Sequence, residues 1–286
     1  MSIRTLDIER QFHRSAAGSY DAHAKVQRIM AEQLASSLRV KVEGNLEPTS
    51  MLEIGCGTGT LTKMLVDEWP RASITAIDMA PGMIEAAKQR ISASRLVNGG
   101  GQPDQVSFIH ADVEKWSVDT QESSFDLIVS CACFQWLRAP RQTLNHLRRL
   151  LRPGGLLVFT TFGPRTFDEL HQSFNQAYRD GGVEPQRHGL TFQTDTQWKN
   201  LLLDAGFSSI QQTGAIQKET YPSVRDFLLA VKAMGASASE AATATGLSSR
   251  RLFANMYKEY EERFSVQGGI SATYDLIGFQ AGVSQR

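Results

Sequence analysis

The sequence predicts an α/β fold, a seven-stranded and mostly parallel sheet with helices on both faces and a helical lid. Three observations predict it. Glu53, Ile54, Gly55, Cys56, Gly57, Thr58 and Gly59 join an apolar strand to an amphipathic helix through alternating glycines. Apolar strands and amphipathic helices then alternate along the chain, as a parallel sheet with crossover helices requires. Asp78 and Asp112 end the next two strands, so carboxylates and glycines gather at the edge where open α/β sheets form their crevice.

Each element follows from local pattern. Residues 5–20 and 24–40 read as two helices, with Phe12, Ala16 and Tyr20, then Val26, Met30 and Leu34, at i, i+4 steps. Met51, Leu52 and Ile54 form the first strand. Leu61, Met64 and Leu65 mark a helix over 60–69 that Pro70 ends. Strands follow at 74–77, 106–109 and 125–130, with a helix at 83–93 and a loop at 98–103. Residues 131–137 lie at the crevice end of the fourth strand and carry Gln135 and Trp136. A helix at 141–151 is stopped by Pro153, Gly154 and Gly155, and 156–161 is the fifth strand. Beyond it come a helix at 166–180, a loop at 181–188, and a helix through Leu203 opened by the capping box of Thr194 and Gln197. The sixth strand spans 207–213. A helix from Pro222 to Met234 is stopped by Gly235, another covers 248–264, and 270–281 is the last strand. The division expected is 1–44 as N-terminal helices over the cleft and 45–286 as the α/β domain. Insertions at 162–192 and 221–268 form the lid, and 236–245 is too rich in Ala, Ser and Thr to place.

Thirty basic and thirty acidic side chains cancel, which argues against a nucleic-acid partner. No apolar run reaches membrane-spanning length and the N-terminus lacks a signal core, so a soluble, cytoplasmic protein is expected. Cys56, Cys131 and Cys133 cannot all pair within one chain, a reducing-compartment pattern. No second Cys or His pair accompanies Cys131 and Cys133, so no metal site is expected.

A dinucleotide turn needs G-x-G-x-x-G, whereas Gly55, Gly57 and Gly59 give G-x-G-x-G with no basic residue in the turn. This resembles the first motif of the class I methyltransferases, whose Rossmann-like fold binds S-adenosylmethionine and releases S-adenosylhomocysteine. A glycine-tightened turn without a ligand is the alternative for any single motif. On the resemblance, Asp78 accepts the ribose hydroxyls and Asp112 the adenine amine. Tyr20, Gln27, Glu53, Cys56, Met79, Met83, Val113, Cys131 and Gln135 join the glycines around the cofactor. Tyr20 can equally be a core aromatic at a helix end.

Further motifs narrow the family. Phe12, Ala16, Tyr20, Asp21, Ala24 and Gln27, then Gln135 and Trp136, Thr160 and Thr161, Glu169 to His171, Lys232 with Gly235 and Ala236, and Thr273 with Tyr274 resemble the malonyl-acyl-carrier-protein O-methyltransferases of biotin synthesis, the BioC family. The chain departs from that pattern at Gly269 to Ala272, where a basic residue often stands. The resemblance implies methyl transfer from S-adenosylmethionine to the free carboxylate of malonyl-acyl-carrier protein or malonyl-CoA. The ester masks a charge so that pimeloyl chain synthesis can begin. The carboxylate is already ionised, so no general base is needed. Tyr20, His171, Lys232 and Tyr274 are the candidate orienting donors. A core histidine and a solvated lysine are the plain alternatives for His171 and Lys232. An acidic carrier protein calls for a basic face, and Arg138, Arg141, Arg148, Arg149 and Arg152 cluster on one helix and its ends, although a solvated face explains such charges too. A monomer is expected. Rival functions are a C- or O-methyltransferase of another small molecule such as a quinone precursor, and a non-catalytic methyltransferase-like partner subunit.

Overall fold

The computed structural model describes residues 9–13, 16, 19–42, 47–98, 105–186, 188–235 and 247–285. Helices α1 (Ser19–His23) and α2 (Lys25–Val42) precede β1 (Ser50–Ile54), α3 (Thr60–Glu68), β2 (Ser73–Asp78), α4 (Pro81–Asn98), β3 (Val106–His110), α5 (Val113–Asp119) and β4 (Phe125–Cys131). A single 3₁₀ turn at Phe134–Trp136 leads to α6 (Pro140–Leu150), β5 (Leu151–Phe162), α7 (Asp168–Asp180) and α8 (Asp195–Asp204). The chain ends with β6 (Ser208–Tyr221), α9 (Val224–Ala233), α10 (Leu247–Phe264), β7 (Ser265–Val266) and β8 (Gly269–Gly282).

The sheet order is β3-β2-β1-β4-β5-β8-β6, with the short β7 added beside β8. Strands β1 to β5 pair in parallel, and β8 runs antiparallel to both β5 and β6. Sequence order reverses between β1 and β4. That switch point splays the following connections apart and opens a crevice over the C-terminal strand ends.

Among the described residues four apolar clusters hold this arrangement, the smallest packing Ile84 and Ala87 of α4 against Ala76 of β2. Ala31, Leu34 and Leu38 of α2 and Leu61 and Leu65 of α3 cover one face against Met51, Leu127 and Val129. Leu144 and Leu147 of α6 and Trp198 and Leu202 of α8 cover the other against Leu52, Ile128 and Phe159. A third cluster packs α7, α9 and α10 on the upper part of β8 through Phe174, Phe227, Met256, Tyr260 and Tyr274. Burying a side chain of this size contributes roughly 1.5–3 kcal/mol, so each of the larger clusters is enough to fix its helices on the sheet.

Strand β5 begins at Leu151 rather than 156 and helix α4 runs to Asn98 rather than 93, and the structure differs from the sequence reading in four further places. The sheet has an eighth strand, the two-residue β7, formed where the chain doubles back onto β8. Strand β6 runs to Tyr221 rather than 213. Helix α5 was not expected; Asp112 caps it by accepting the Glu114 backbone N–H at 3.0 Å. The N-terminal segment is helical at 9–13 and resumes as α1, so a continuous helix over 5–20 is not seen among the described residues. The segments 99–103 and 236–245 fall outside those residues. The capping box of Thr194 and Gln197 is present, with both hydrogen bonds made. No described helix is long and apolar enough to cross a membrane.

Candidate active site

The glycine turn is locked from both sides. Backbone N–H groups of Gly55 and Cys56 donate to the Ile77 carbonyl at 2.8 and 3.0 Å, tying the turn to β2. Asp78 then accepts from the Gly57 N–H at 2.9 Å on one oxygen and the Ala80 N–H at 2.8 Å on the other. Gly55 has φ +70°, and a Cβ there would lie 2.5 Å from Cys133 Sγ, so both backbone and space demand glycine. At Gly57, also left-handed, a Cβ would meet nothing within 4 Å, because this residue borders open space.

That space is a cleft that, counted with the solvent at its mouth, encloses about 1200 Å³. Its polar end is formed by the turn, Asp78, Met79, Met83, Asp112, Val113 and Glu114. Its far end is apolar: Phe162, Phe167, Leu190, Phe192, Met234 and Tyr274. Phe167 and Phe192 stand edge-on to Tyr274 and Phe162, with ring centroids 5.2 and 6.1 Å apart. Between the ends lie Tyr20, Gln27, Cys131, Cys133, Gln135 and Trp136. Phe12 closes this middle from above, edge-on to Trp136 at 5.5 Å, and Gln11 Nε2 donates to the Lys232 carbonyl at 2.8 Å. A Cβ on Gly235, at φ +80°, would strike the Phe12 ring at 2.5 Å, so the glycine ending α9 makes room for that cover.

Burial sets the protonation of the middle and of Tyr274 at the far end. It pushes the Cys131 and Cys133 thiols up to about 12 and raises the Tyr20 and Tyr274 phenols further still. The Tyr274 hydroxyl also shares a 2.6 Å hydrogen bond with that of Tyr221. Burial likewise raises Asp78, countered by its backbone N–H bonds. Glu53 is 1% exposed, Oε2 has no hydrogen-bond partner, and burial pushes its carboxyl up to about 8.

Comparison with known proteins decides the family. Residues 52–159 match the model of a methyltransferase domain. A malonyl-acyl-carrier-protein O-methyltransferase of Paenibacillus sp. (strain JDR-2) is 54% identical over 96% of this chain and 98% of its own length. One from Brevibacillus brevis is 43% identical over 94% of this chain and 93% of its own. The chain belongs to the malonyl-acyl-carrier-protein O-methyltransferase family. Its fold is also that of phosphoethanolamine N-methyltransferase 2 from Haemonchus contortus, solved with phosphomonomethylethanolamine and S-adenosylhomocysteine. The TM-score is 0.53 at 17% identity, covering 89% of this chain and 53% of that one.

In this methyltransferase Tyr20, Gln27, Gly55, Gly57, Asp78, Met79, Met83, Asp112, Val113, Cys131, Gln135 and Tyr274 all line the cleft. Glu53 and Cys56 line an adjoining recess that shares Tyr20, Gln27 and Cys131 with it. Gly59 lines neither; it sits behind the turn, where a Cβ would press on Ala87 at 3.0 Å. Two of the four candidate orienting donors are not brought there. His171 is half-buried on α7 and Lys232 exposed on α9, and neither lines the cleft.

The arginines do not form one free stripe. Arg141 pairs with Asp204 at 2.7 Å, Arg148 donates to the Gly206 carbonyl at 2.9 Å, and Arg149 to the Ser117 and Val118 carbonyls at 3.0 and 2.6 Å. Arg152 pairs with Asp126 at 2.8 Å. Because α6 runs back along the sheet, Arg149 and Arg152 stand at the N-terminal strand ends, away from the cleft. Only Arg138 lines it. Residues missed in the sequence are the aromatic wall of Phe162, Phe167 and Phe192 and the carboxylate of Glu114, each of which reads locally as ordinary core or surface.

Proposed function

We propose that this cleft transfers the methyl group of S-adenosylmethionine to the free carboxylate of malonyl-acyl-carrier protein, forming the malonyl methyl ester with which pimeloyl synthesis for biotin starts. One observation carries this reading: among the described residues, no histidine, lysine or carboxylate lines the middle or far end of the cleft. The titratable groups there are the phenols of Tyr20 and Tyr274 and the thiols of Cys131 and Cys133, which burial raises further, so no base stands there at neutral pH. A phenol or carbon acid would need such a base, whereas a carboxylate arrives already ionised. The acceptor brings its own negative charge.

The polar end fits the donor. Gly57 faces open space, and each Asp78 oxygen that takes one backbone N–H keeps acceptor capacity for a ribose hydroxyl. Asp112 and Val113 border the adenine position. S-adenosylmethionine supplies, when bound, a methyl group on a positively charged sulfur. The apolar wall of Phe162, Phe167, Leu190 and Phe192 strips water from the acceptor carboxylate, which raises its reactivity towards a cationic centre. Tyr20 and Tyr274 remain as neutral donors that orient one oxygen without holding the charge as tightly as an arginine would. That matters because charge is lost in the transition state, and a cation gripping the ground state would slow the step. Gln135 is fixed beside them: its Oε1 accepts from Thr161 Oγ1 at 3.0 Å and its Nε2 donates to the Ala132 carbonyl at 2.6 Å.

Residues 162–192 and 221–268 act as the acceptor-side lid and the N-terminal helices as the cover, a reading supported by their shared apolar cluster above β8. The test is turnover by the purified protein with S-adenosylmethionine and malonyl-acyl-carrier protein, followed by mass spectrometry. A carrier-bound malonyl group gaining one methyl is expected. Methylation of an aromatic acceptor with malonyl thioesters left untouched would overturn the assignment.

A further inference from the structure

Arg138 was expected on a docking face, but its guanidinium instead bridges two carboxylates across the polar end of the cleft. Nη2 lies 2.8 Å from Asp112 Oδ2, and Nε lies 2.7 Å from Glu114 Oε2. The other Asp112 oxygen accepts the Glu114 backbone N–H at 3.0 Å. The other Glu114 oxygen accepts the backbone N–H groups of Arg138 and Ala139 at 3.0 and 2.7 Å. The two carboxylate side chains are 14% and 10% exposed, and all three residues line the cleft.

This is a closed clamp. It ties the start of α5, which follows β3, to the segment between β4 and α6, so it spans the two connections that border the polar end. A carboxylate rotates easily about its last bond. With one oxygen held by a backbone N–H and the other by Nη2, Asp112 has a single orientation, and each oxygen keeps a further acceptor site. Asp112 and Glu114 are like charges two residues apart, and the cation lying between them offsets that repulsion alongside the backbone N–H groups. The planar arginine fork reaches both; a lysine ammonium, a point charge on a flexible stem, cannot hold both with the same geometry.

We propose that Arg138 is a positioning residue for the methyl donor, holding Asp112 in the orientation that accepts the adenine amine, and that it takes no part in gripping the malonyl carboxylate. This rests on the donor reading of the cleft. The Nε and Nη2 edge of Arg138 faces Asp112 and Glu114, so turning that edge towards the acceptor carboxylate would break the clamp and leave two uncompensated carboxylates at the donor site.

Calorimetry on the full chain tests this, with S-adenosylhomocysteine and its inosine counterpart, in which a carbonyl oxygen replaces the adenine amine. Wild type is expected to favour the adenosyl form. Arg138→Gln is expected to weaken S-adenosylhomocysteine on the order of tenfold, as for loss of one charge-supported hydrogen bond, and to lose most of the preference over the inosyl form. Arg138→Lys, which keeps the charge, is expected to recover only part of both and serves as the informative variant should Arg138→Gln fail to fold. In turnover the KM for the donor rises with either variant, while the KM for malonyl-acyl-carrier protein does not. Unchanged preference for the adenosyl form in both variants, or a rise confined to the malonyl KM, would overturn the proposal. A wild type that binds neither compound would overturn the donor reading itself, a result distinguishable from either of those.

Discussion

The two ends of the cleft are built by different means. At the donor end, backbone does most of the work: a left-handed glycine turn, N–H groups fixed on Asp78, and carboxylates clamped by an arginine. At the acceptor end there is almost no polar machinery. Aromatic and aliphatic side chains from the segment after β5, the approach to α8, the end of α9 and strand β8 meet there. The contrast teaches that methyl transfer to an anion asks for precise geometry on one side and exclusion of water on the other. Precise geometry comes from short, consecutive stretches of chain, and exclusion comes from packing.

Damage at the donor end is therefore expected to be the most severe. Asp78→Ala removes the acceptor for two backbone N–H groups as well as the ribose contact proposed for it. Each orphaned buried group costs about 1–3 kcal/mol, so donor affinity is expected to fall roughly 100-fold or more by calorimetry. Affinity within a few-fold of wild type would show that the turn holds its shape without this carboxylate, and the contrast between the two ends would weaken.

A smaller and more selective effect is expected at the acceptor end. Phe192 is buried and meets Phe162 edge-on. Phe192→Ala is expected to lower stability by about 3–5 kcal/mol if the gap does not collapse, and to raise the KM for malonyl-acyl-carrier protein while calorimetric donor affinity stays unchanged. Donor affinity falling in step with the malonyl KM would mean that the two ends are one cooperative unit.

The same contrast explains what could be read from the chain alone. Residues 53–59 announce the donor turn because a glycine at φ +70° has no substitute, and Asp78 follows at a strand end. Phe162, Phe167, Leu190 and Phe192 announce nothing, since each is an ordinary core residue until separate segments converge, and Tyr274 stands out only through the family motif. The sequence shows β6 only to 213 because residues 211–216 are exposed on both faces and the inward positions beyond them are the polar Gln217 and Glu219, leaving no apolar alternation to follow. Helix α5 is seven residues long, too short for a helical period to stand out. The arginines of α6 clustered in sequence, yet the helix axis spreads them from the cleft to the opposite end of the sheet, where carbonyls and Asp126 engage them. Charge runs show where cations are concentrated and not which partner each one has.

The last effect expected is thermodynamic and lies beneath the glycine turn. Burial raises the Glu53 carboxyl from its ordinary value near 4.5 up to about 8, so between those pH values the folded protein keeps a proton that the unfolded chain has released. The folded state then binds more protons, and stability falls as pH rises through that window, levelling off above it. Glu53→Gln keeps the shape and removes the titration. Urea unfolding from pH 5 to 8 is therefore expected to show a shallower decline for the variant than for wild type. Parallel pH profiles would mean that Glu53 is already ionised in the fold, which would require a cationic or hydrogen-bonding partner for its buried Oε2. Donor-end polarity would then extend beneath the turn as well as above it.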